Sequence, residues 1–233
     1  MTTAQYLERR GEIETYFDRT AAVAWSRLTS DAPVGRIRAS VRAGREEMRS
    51  TLMSWLPQDL RGARLLDAGC GTGALSIDAA RRGADVVAVD ISPTLIEIAG
   101  RRIPADISPR SIRFQAGDML DPRFGKFDFV VAMDSIIHYR PQDLARIVAS
   151  LAARTSHSVL VTFAPKTPAL AVMHAVGRAF PRGNRAPAVE PVAEQSLRRL
   201  LVDHPDLDGW AFGRSRRVSS IFYKSHAVEL LPS

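Results

Sequence analysis

From residue 63 onward, short apolar runs alternate with amphipathic stretches. The runs at 64–68, 85–89, 111–115, 127–133 and 158–163 read as strands, and the stretches at 73–82, 93–102 and 141–153 read as helices. Pro93 and Pro141 stand near helix starts, where a missing N–H costs nothing. Strands separated by helices imply a parallel sheet with helices on both faces. Upstream, residues 4–56 hold no β-rich run and space Ile13, Phe17, Trp25, Leu28 and Ile37 as helices do, with Pro33 and Gly35 dividing them into two pieces. In the second piece Arg38, Arg42, Arg45 and Arg49 share a basic face, while Met48, Leu52 and Trp55 line an apolar one.

After Phe163 the rhythm stops. Prolines 165, 168, 181, 187 and 191 surround an apolar helical piece at 169–180. A helix resumes near 193–201, and 210–218 and 221–231 alternate like two antiparallel strands. An insertion at the carboxyl end of the fifth strand stands where an open α/β sheet builds a substrate cover. The expected layout is a helical arm over 1–56 and an α/β domain over 57–233, with the cover at about 164–195.

A length of 233 residues suits one such domain plus an arm. No run of about 18 apolar residues is present, so no spanning helix is expected. The opening MTTAQYLERRGEIE is polar and acidic, unlike a secretory signal, and the single Cys70 excludes an internal disulfide. A cytoplasmic protein is expected. The net charge is +7, and Lys126, Lys166 and Lys224 are the only lysines among 32 basic residues. A high-GC genome is the larger cause of that choice, although guanidinium groups also suit carboxylates and phosphates. Charge alone leaves an anionic small molecule, a nucleic acid or an anionic membrane surface open.

The run Leu65-Leu66-Asp67-Ala68-Gly69-Cys70-Gly71-Thr72-Gly73 is a strand followed by a glycine-rich turn into a helix. Its glycines permit tight backbone conformations and close approach of a ligand. Gly69-x-Gly71-x-x-Ala74 also satisfies a relaxed dinucleotide fingerprint. Asp67 separates the two readings: a pyrophosphate gains nothing from a carboxylate there, whereas an ammonium does. Asp90, closing the next strand, can accept from both ribose hydroxyls. Asp118, in Gly117-Asp118-Met119, can accept from an adenine amino group. Together Asp67, Gly69, Gly71, Asp90 and Asp118 resemble the motifs of class I S-adenosylmethionine-dependent methyltransferases. That resemblance implies a Rossmann-like, mixed seven-stranded sheet, mostly parallel with one antiparallel strand. It also implies S-adenosylmethionine as methyl donor, S-adenosylhomocysteine as product, and no protein-bound metal. Tyr16, Arg38, Ala68, Ile91, Met119 and Met133 complete the expected donor-binding set.

The fourth strand leads into Met133-Asp134-Ser135-Ile136-Ile137-His138-Tyr139, where such enzymes face the transferred methyl group. It is not the Asn/Asp-Pro-Pro-Tyr/Phe motif of base-amine methylation, and Cys70 lies in the glycine turn, not where a cytosine nucleophile would. Segments outside the donor core resemble the magnesium-protoporphyrin IX O-methyltransferase family. They are Tyr16-Phe17 with Trp25, Ile37-Arg38 with Val41-Arg42-Ala43-Gly44-Arg45, residues 134–139, 163–168 and 180–187. The similarity covers nearly the whole chain and is weakest at 1–10 and 196–215. It implies methylation of one propionate of Mg-protoporphyrin IX in bacteriochlorophyll biosynthesis, with no nucleic-acid partner. It further implies contact with the porphyrin-carrying subunit of magnesium chelatase and weak peripheral association with the photosynthetic membrane.

A propionate is already ionised at neutral pH, so no strong base is required. His138 is therefore expected to orient the propionate without removing a proton, and Asp134, Tyr139, Lys166 and His174 are further expected substrate contacts. His174 sits among Leu170, Met173 and Val176, where a core histidine is the commoner outcome than an axial ligand to magnesium. For the arginine stripe, a solvated helix face competes evenly with an arm that brings Arg38 or Arg42 to a carboxylate. Two other functions compete: methylation of a different small molecule, and nucleic-acid binding by a protein that kept the donor fold.

Overall fold

The computed structural model describes residues 4–30, 35–166 and 189–233. Its strands are β1 (Arg64–Ala68), β2 (Asp85–Asp90), β3 (Ile112–Ala116), β4 (Phe127–Ala132), β5 (Thr155–Phe163), β6 (Trp210–Ser219) and β7 (Lys224–Pro232). They form one sheet in the order β3-β2-β1-β4-β5-β7-β6. The first five are parallel, and β7 runs antiparallel between β5 and β6. The expected mixed, mostly parallel sheet with one reversed strand is the one observed.

Two-residue periodicity splits each central strand between two cores. Leu66, Val87, Val130 and Val159 face one side, while Leu65, Val86, Val131 and Leu160 face the other. Strands buried on both faces read as continuous apolar runs, which is why they were visible in the sequence. The first core is covered by α6 (Pro141–Ala152) and α7 (Glu194–Val202), through Leu144, Ile147, Leu151, Leu197 and Leu201. The second takes Met48, Leu52 and Met53 from α3 (Arg36–Trp55) and Leu75 and Ala79 from α4 (Ala74–Arg81).

The remaining arm consists of α1 (Ala4–Thr15), a π-helical turn (Tyr16–Ala21) and α2 (Ala22–Leu28). α5 (Pro93–Arg101) follows β2. Two expectations shift. β5 begins at Thr155, because Thr155 pairs with Phe127 before the apolar run begins. β7 begins at Lys224, because Ser220–Tyr223 form the hairpin turn, closed by Ser220 N–H to the Tyr223 carbonyl at 2.8 Å. Ile37, one of the apolar positions spaced as in a helix, is exposed near the start of α3.

Candidate active site

β1 is the switch point: the chain leaves it toward β2 and β3 on one side and β4 and β5 on the other. Loops leaving β1 and β4 therefore open a crevice at the strands' carboxyl ends. Gly69, Gly71 and Gly73 all have positive φ (85°, 55° and 81°), so the loop after β1 needs glycine three times. Gly69 also lets the two loops touch, since a Cβ there would stand 2.1 Å from the Ser135 Cβ. Ser135 Oγ donates to the Ala68 carbonyl at 2.6 Å and ties the loops together.

The crevice has two lobes that share Thr29, Arg45, Gly69, Cys70 and Met133. The first is a cleft open to solvent, walled by apolar and aromatic side chains among a few convergent polar groups, as small-molecule sites are. It gathers Gly69, Gly71, Asp90, Ile91, Asp118 and Met119 with Met133, Asp134, His138 and Tyr139. The second lobe is lined by Asp67 together with Arg42, Glu46, Arg49 and Ala74. Asp67 is buried, accepts from Ser76 Oγ at 2.6 Å, and has its carboxyl pushed up to about 7 by burial. An ammonium group entering that lobe would restore its charge.

These residues fit S-adenosylmethionine. Asp90 accepts from Gly71 N–H at 2.8 Å and Ser92 N–H at 3.0 Å, one on each oxygen. Each oxygen keeps a lone pair, enough for the two ribose hydroxyls. Burial raises the Asp90 pKa, and donor hydroxyls would stabilise its ionised form. At Asp118 the expected adenine contact is shared. Tyr6 Oη donates to Oδ1 and Arg10 Nη1 to Oδ2, both at 2.8 Å, and Leu120 N–H also donates to Oδ1.

Tyr6 and Arg10 belong to the arm, which roofs the cleft together with Ile13, Phe17 and Trp25. Tyr6 stacks on Tyr139 with centroids 5.2 Å apart, and burial raises both phenol pKa values. The arm is also pinned at its middle and at its far end. Asp18 accepts from Ser92 Oγ and Thr94 N–H at 3.1 Å, bonds that hold its carboxyl below the usual range. Arg102 donates to Thr29 and Ser26, and Thr72 Oγ1 donates to Thr29 Oγ1 at 2.8 Å.

His138 is buried on a one-turn 3-10 helix (Ile136–His138), with its ring edge-on to Phe17 at 5.9 Å and its carbonyl accepting from Arg9 Nε. Some expected residues are not brought here. Arg38 is exposed on the first turn of α3, and Lys166, near the start of the expected cover, is exposed. Tyr16 is half-buried against Phe17 and does not line either lobe. Arg45, from the same stripe as Arg38, lines both lobes instead. Asp134 lines the cleft, yet its oxygens are already taken by Arg45, Tyr223, Ser225 and Thr162. His174 and most of the expected cover lie outside the described residues.

A family model described as magnesium-protoporphyrin IX methyltransferase C-terminus matches residues 132–232, and one described as methyltransferase domain matches 65–157. A magnesium-protoporphyrin O-methyltransferase from Rhodobacter capsulatus is 46% identical over 98% of this chain and 99% of its own. The chain belongs to the magnesium-protoporphyrin O-methyltransferase family. The magnesium protoporphyrin IX methyltransferase of Synechocystis PCC 6803, solved with bound S-adenosylhomocysteine, superposes with a TM-score of 0.83 at 28% identity. That match covers 96% of this chain and 100% of the other. A geranyl diphosphate C-methyltransferase from Streptomyces coelicolor, at 14% identity and TM-score 0.67, shares the fold. The Mg-porphyrin methyltransferase family model begins at Ala132, so it takes in residues 134–139, the cover and β7.

Proposed function

We propose that this protein transfers the methyl group of S-adenosylmethionine to one propionate carboxylate of Mg-protoporphyrin IX, giving the monomethyl ester in bacteriochlorophyll biosynthesis. The observation that carries the reading is similarity along the full chain to enzymes of that name, joined to a two-lobed crevice that gathers Asp67, Asp90 and Asp118. S-adenosylmethionine supplies a methyl group on a sulfonium, which becomes a neutral thioether when the methyl passes to an oxygen. The chain's own work is to bind, align and dry the site. Asp90 and Asp118 hold the nucleoside, Asp67 takes the ammonium, and the Gly69–Thr72 backbone lets the donor approach closely. Tyr6, Phe17 and Trp25 of the arm exclude water from the carboxylate, which strengthens its nucleophilicity. His138 orients the propionate; alignment of this kind supplies much of the acceleration when no proton moves.

The test is incubation with labelled S-adenosylmethionine and Mg-protoporphyrin IX, metal-free protoporphyrin or RNA in separate reactions. Label is expected in a porphyrin ester; label confined to RNA overturns the reading. The same chemistry suggests a substrate handed over by the porphyrin-carrying subunit of magnesium chelatase. It also suggests a cytoplasmic enzyme resting weakly on the photosynthetic membrane. Co-sedimentation with that subunit and with membrane vesicles, each with and without porphyrin, checks both.

A further inference from the structure

Two residues past β4 stands Asp134, whose φ of 52° makes it the one left-handed non-glycine residue among the described residues. Aspartate and asparagine tolerate that region better than other L residues. The turn drives the carboxylate inward, leaving the side chain 6% exposed. Four donors surround it. Arg45 Nη1 and Tyr223 Oη meet Oδ2 at 2.7 and 2.9 Å, and Ser225 Oγ and Thr162 Oγ1 meet Oδ1 at 2.9 and 3.2 Å. Thr162 Oγ1 also accepts the Asp134 N–H at 2.7 Å. The donors come from α3, β5, the hairpin turn and β7. A carboxylate so enclosed is a poor receptor for an anionic substrate.

Arg45 is what this cage fixes in place. Its Cζ lies 4.7 Å from the centre of the Trp25 ring, so the guanidinium is held by the ring on one side and by Asp134 through Nη1. Among the described residues that Nη1 bond is its one hydrogen bond, and the side chain lines both lobes of the crevice. Arginine has five donors, so one hydrogen bond leaves capacity for a further acceptor in the crevice it lines.

We propose that Arg45 receives the carboxylate to be methylated, and that Asp134 is a positioning residue that holds Arg45 and cancels its charge. The inference rests on the carboxylate-methylating function proposed above. In the transfer, a lone pair of the propionate oxygen forms the bond to the methyl carbon. The carbon–sulfur bond breaks, and its electron pair stays on sulfur. One negative and one positive charge vanish, and no proton moves. An unpaired guanidinium would hold the anionic ground state more tightly than the neutralising transition state, which lowers turnover. A guanidinium paired with Asp134 keeps its directional donors but has no net charge to offer. It aligns the oxygen without trapping it.

The test compares Asp134→Asn, Arg45→Gln and Arg45→Lys with the wild type. It measures kcat and KM for Mg-protoporphyrin IX, and S-adenosylhomocysteine binding by calorimetry. Asp134→Asn suits the left-handed turn and leaves Arg45 charged. Porphyrin KM should fall several-fold while kcat falls about tenfold or more. Arg45→Gln should raise porphyrin KM roughly ten- to a hundredfold, the value of a charge-assisted hydrogen bond, with product affinity changed less than about threefold. Arg45→Lys, which keeps charge and bulk, should recover part of the KM and serves if the glutamine variant folds poorly. If either Arg45 variant weakens S-adenosylhomocysteine as much as porphyrin, the arginine serves the donor and the proposal fails. It also fails if Asp134→Asn raises KM and lowers kcat together. A wild type that forms no porphyrin ester would instead overturn the function itself.

Discussion

Asp67 joins burial to binding. Its carboxyl titrates near 7 when the site is bare, far above an ordinary aspartate, because burial outweighs the Ser76 hydrogen bond. A folded-state pKa above the unfolded one means the native state holds the extra proton. Its stabilising contribution is therefore full below about pH 4 and is lost as pH rises through 7. Asp67→Asn should raise the melting temperature of the ligand-free enzyme at about pH 8, by roughly 1–3 kcal/mol of stability, and change little below about pH 4. Binding has the opposite pH dependence, since an ammonium favours the ionised form. S-adenosylhomocysteine affinity should fall as pH drops below 7, by up to about tenfold per unit, and calorimetry of Asp67→Asn should show a flat profile. At the neighbouring position, Gly69→Ala combines a φ of 85° with a 2.1 Å clash at Ser135. A loss of about 1–3 kcal/mol in denaturant melts is expected, along with loss of turnover. For His138, the alanine and glutamine variants should both lose turnover while product binding holds. Near-normal kcat in both would remove its orienting role.

The arm shows at the scale of elements what a chain of contacts does. α1 and the π-helical turn hold no catalytic acid, yet they supply Tyr6, Arg10, Ile13 and Phe17 to the cleft. A variant lacking residues 1–15 should keep its far-ultraviolet sheet signal and release S-adenosylhomocysteine at least about tenfold faster, read by stopped-flow fluorescence, because the roof and its hydrogen bonds to Asp118 are gone. The parallel strands are legible in the sequence because burial on both faces leaves unbroken apolar runs, and Asp67, Asp90 and Asp118 stand out as candidates because each lies at or next to the end of one of them. The docking of the arm was not legible: Tyr6 and Asp118 are partners across 112 positions, and no local pattern encodes that. The arginine stripe shows where periodicity stops helping. Arg38 and Arg45 are seven residues apart and share a face, but two helical turns separate them by about 10 Å. Only packing of α3 against the sheet decides that the later one meets the crevice. Gly44 records that packing, since a Cβ there would stand 2.4 Å from the Tyr223 ring.

Over the whole molecule, ion pairing localises part of the charge but leaves the net +7 unchanged. Arg49, Arg64, Arg81, Arg198 and Arg214 are all paired with carboxylates. The surplus still gives a positive field that attracts a dianionic porphyrin. The association rate of Mg-protoporphyrin IX, followed by its Soret band, should drop several-fold between low and near-physiological ionic strength. The equilibrium affinity for S-adenosylhomocysteine, which is zwitterionic at its amino-acid end, should change less.

β7 adds a condition in time. It follows every other strand in chain order, yet it lies between β5 and β6, and the turn before it carries Tyr223 to the Asp134 cage. While the ribosome is still making this segment, β5 has a bare hydrogen-bonding edge and β6 has no partner in the sheet. Until that segment is made, the chain has neither Tyr223 nor Ser225 to complete the Asp134 cage that holds Arg45. Catalytic competence is thus withheld until the sheet's last strand slides between two that were made before it.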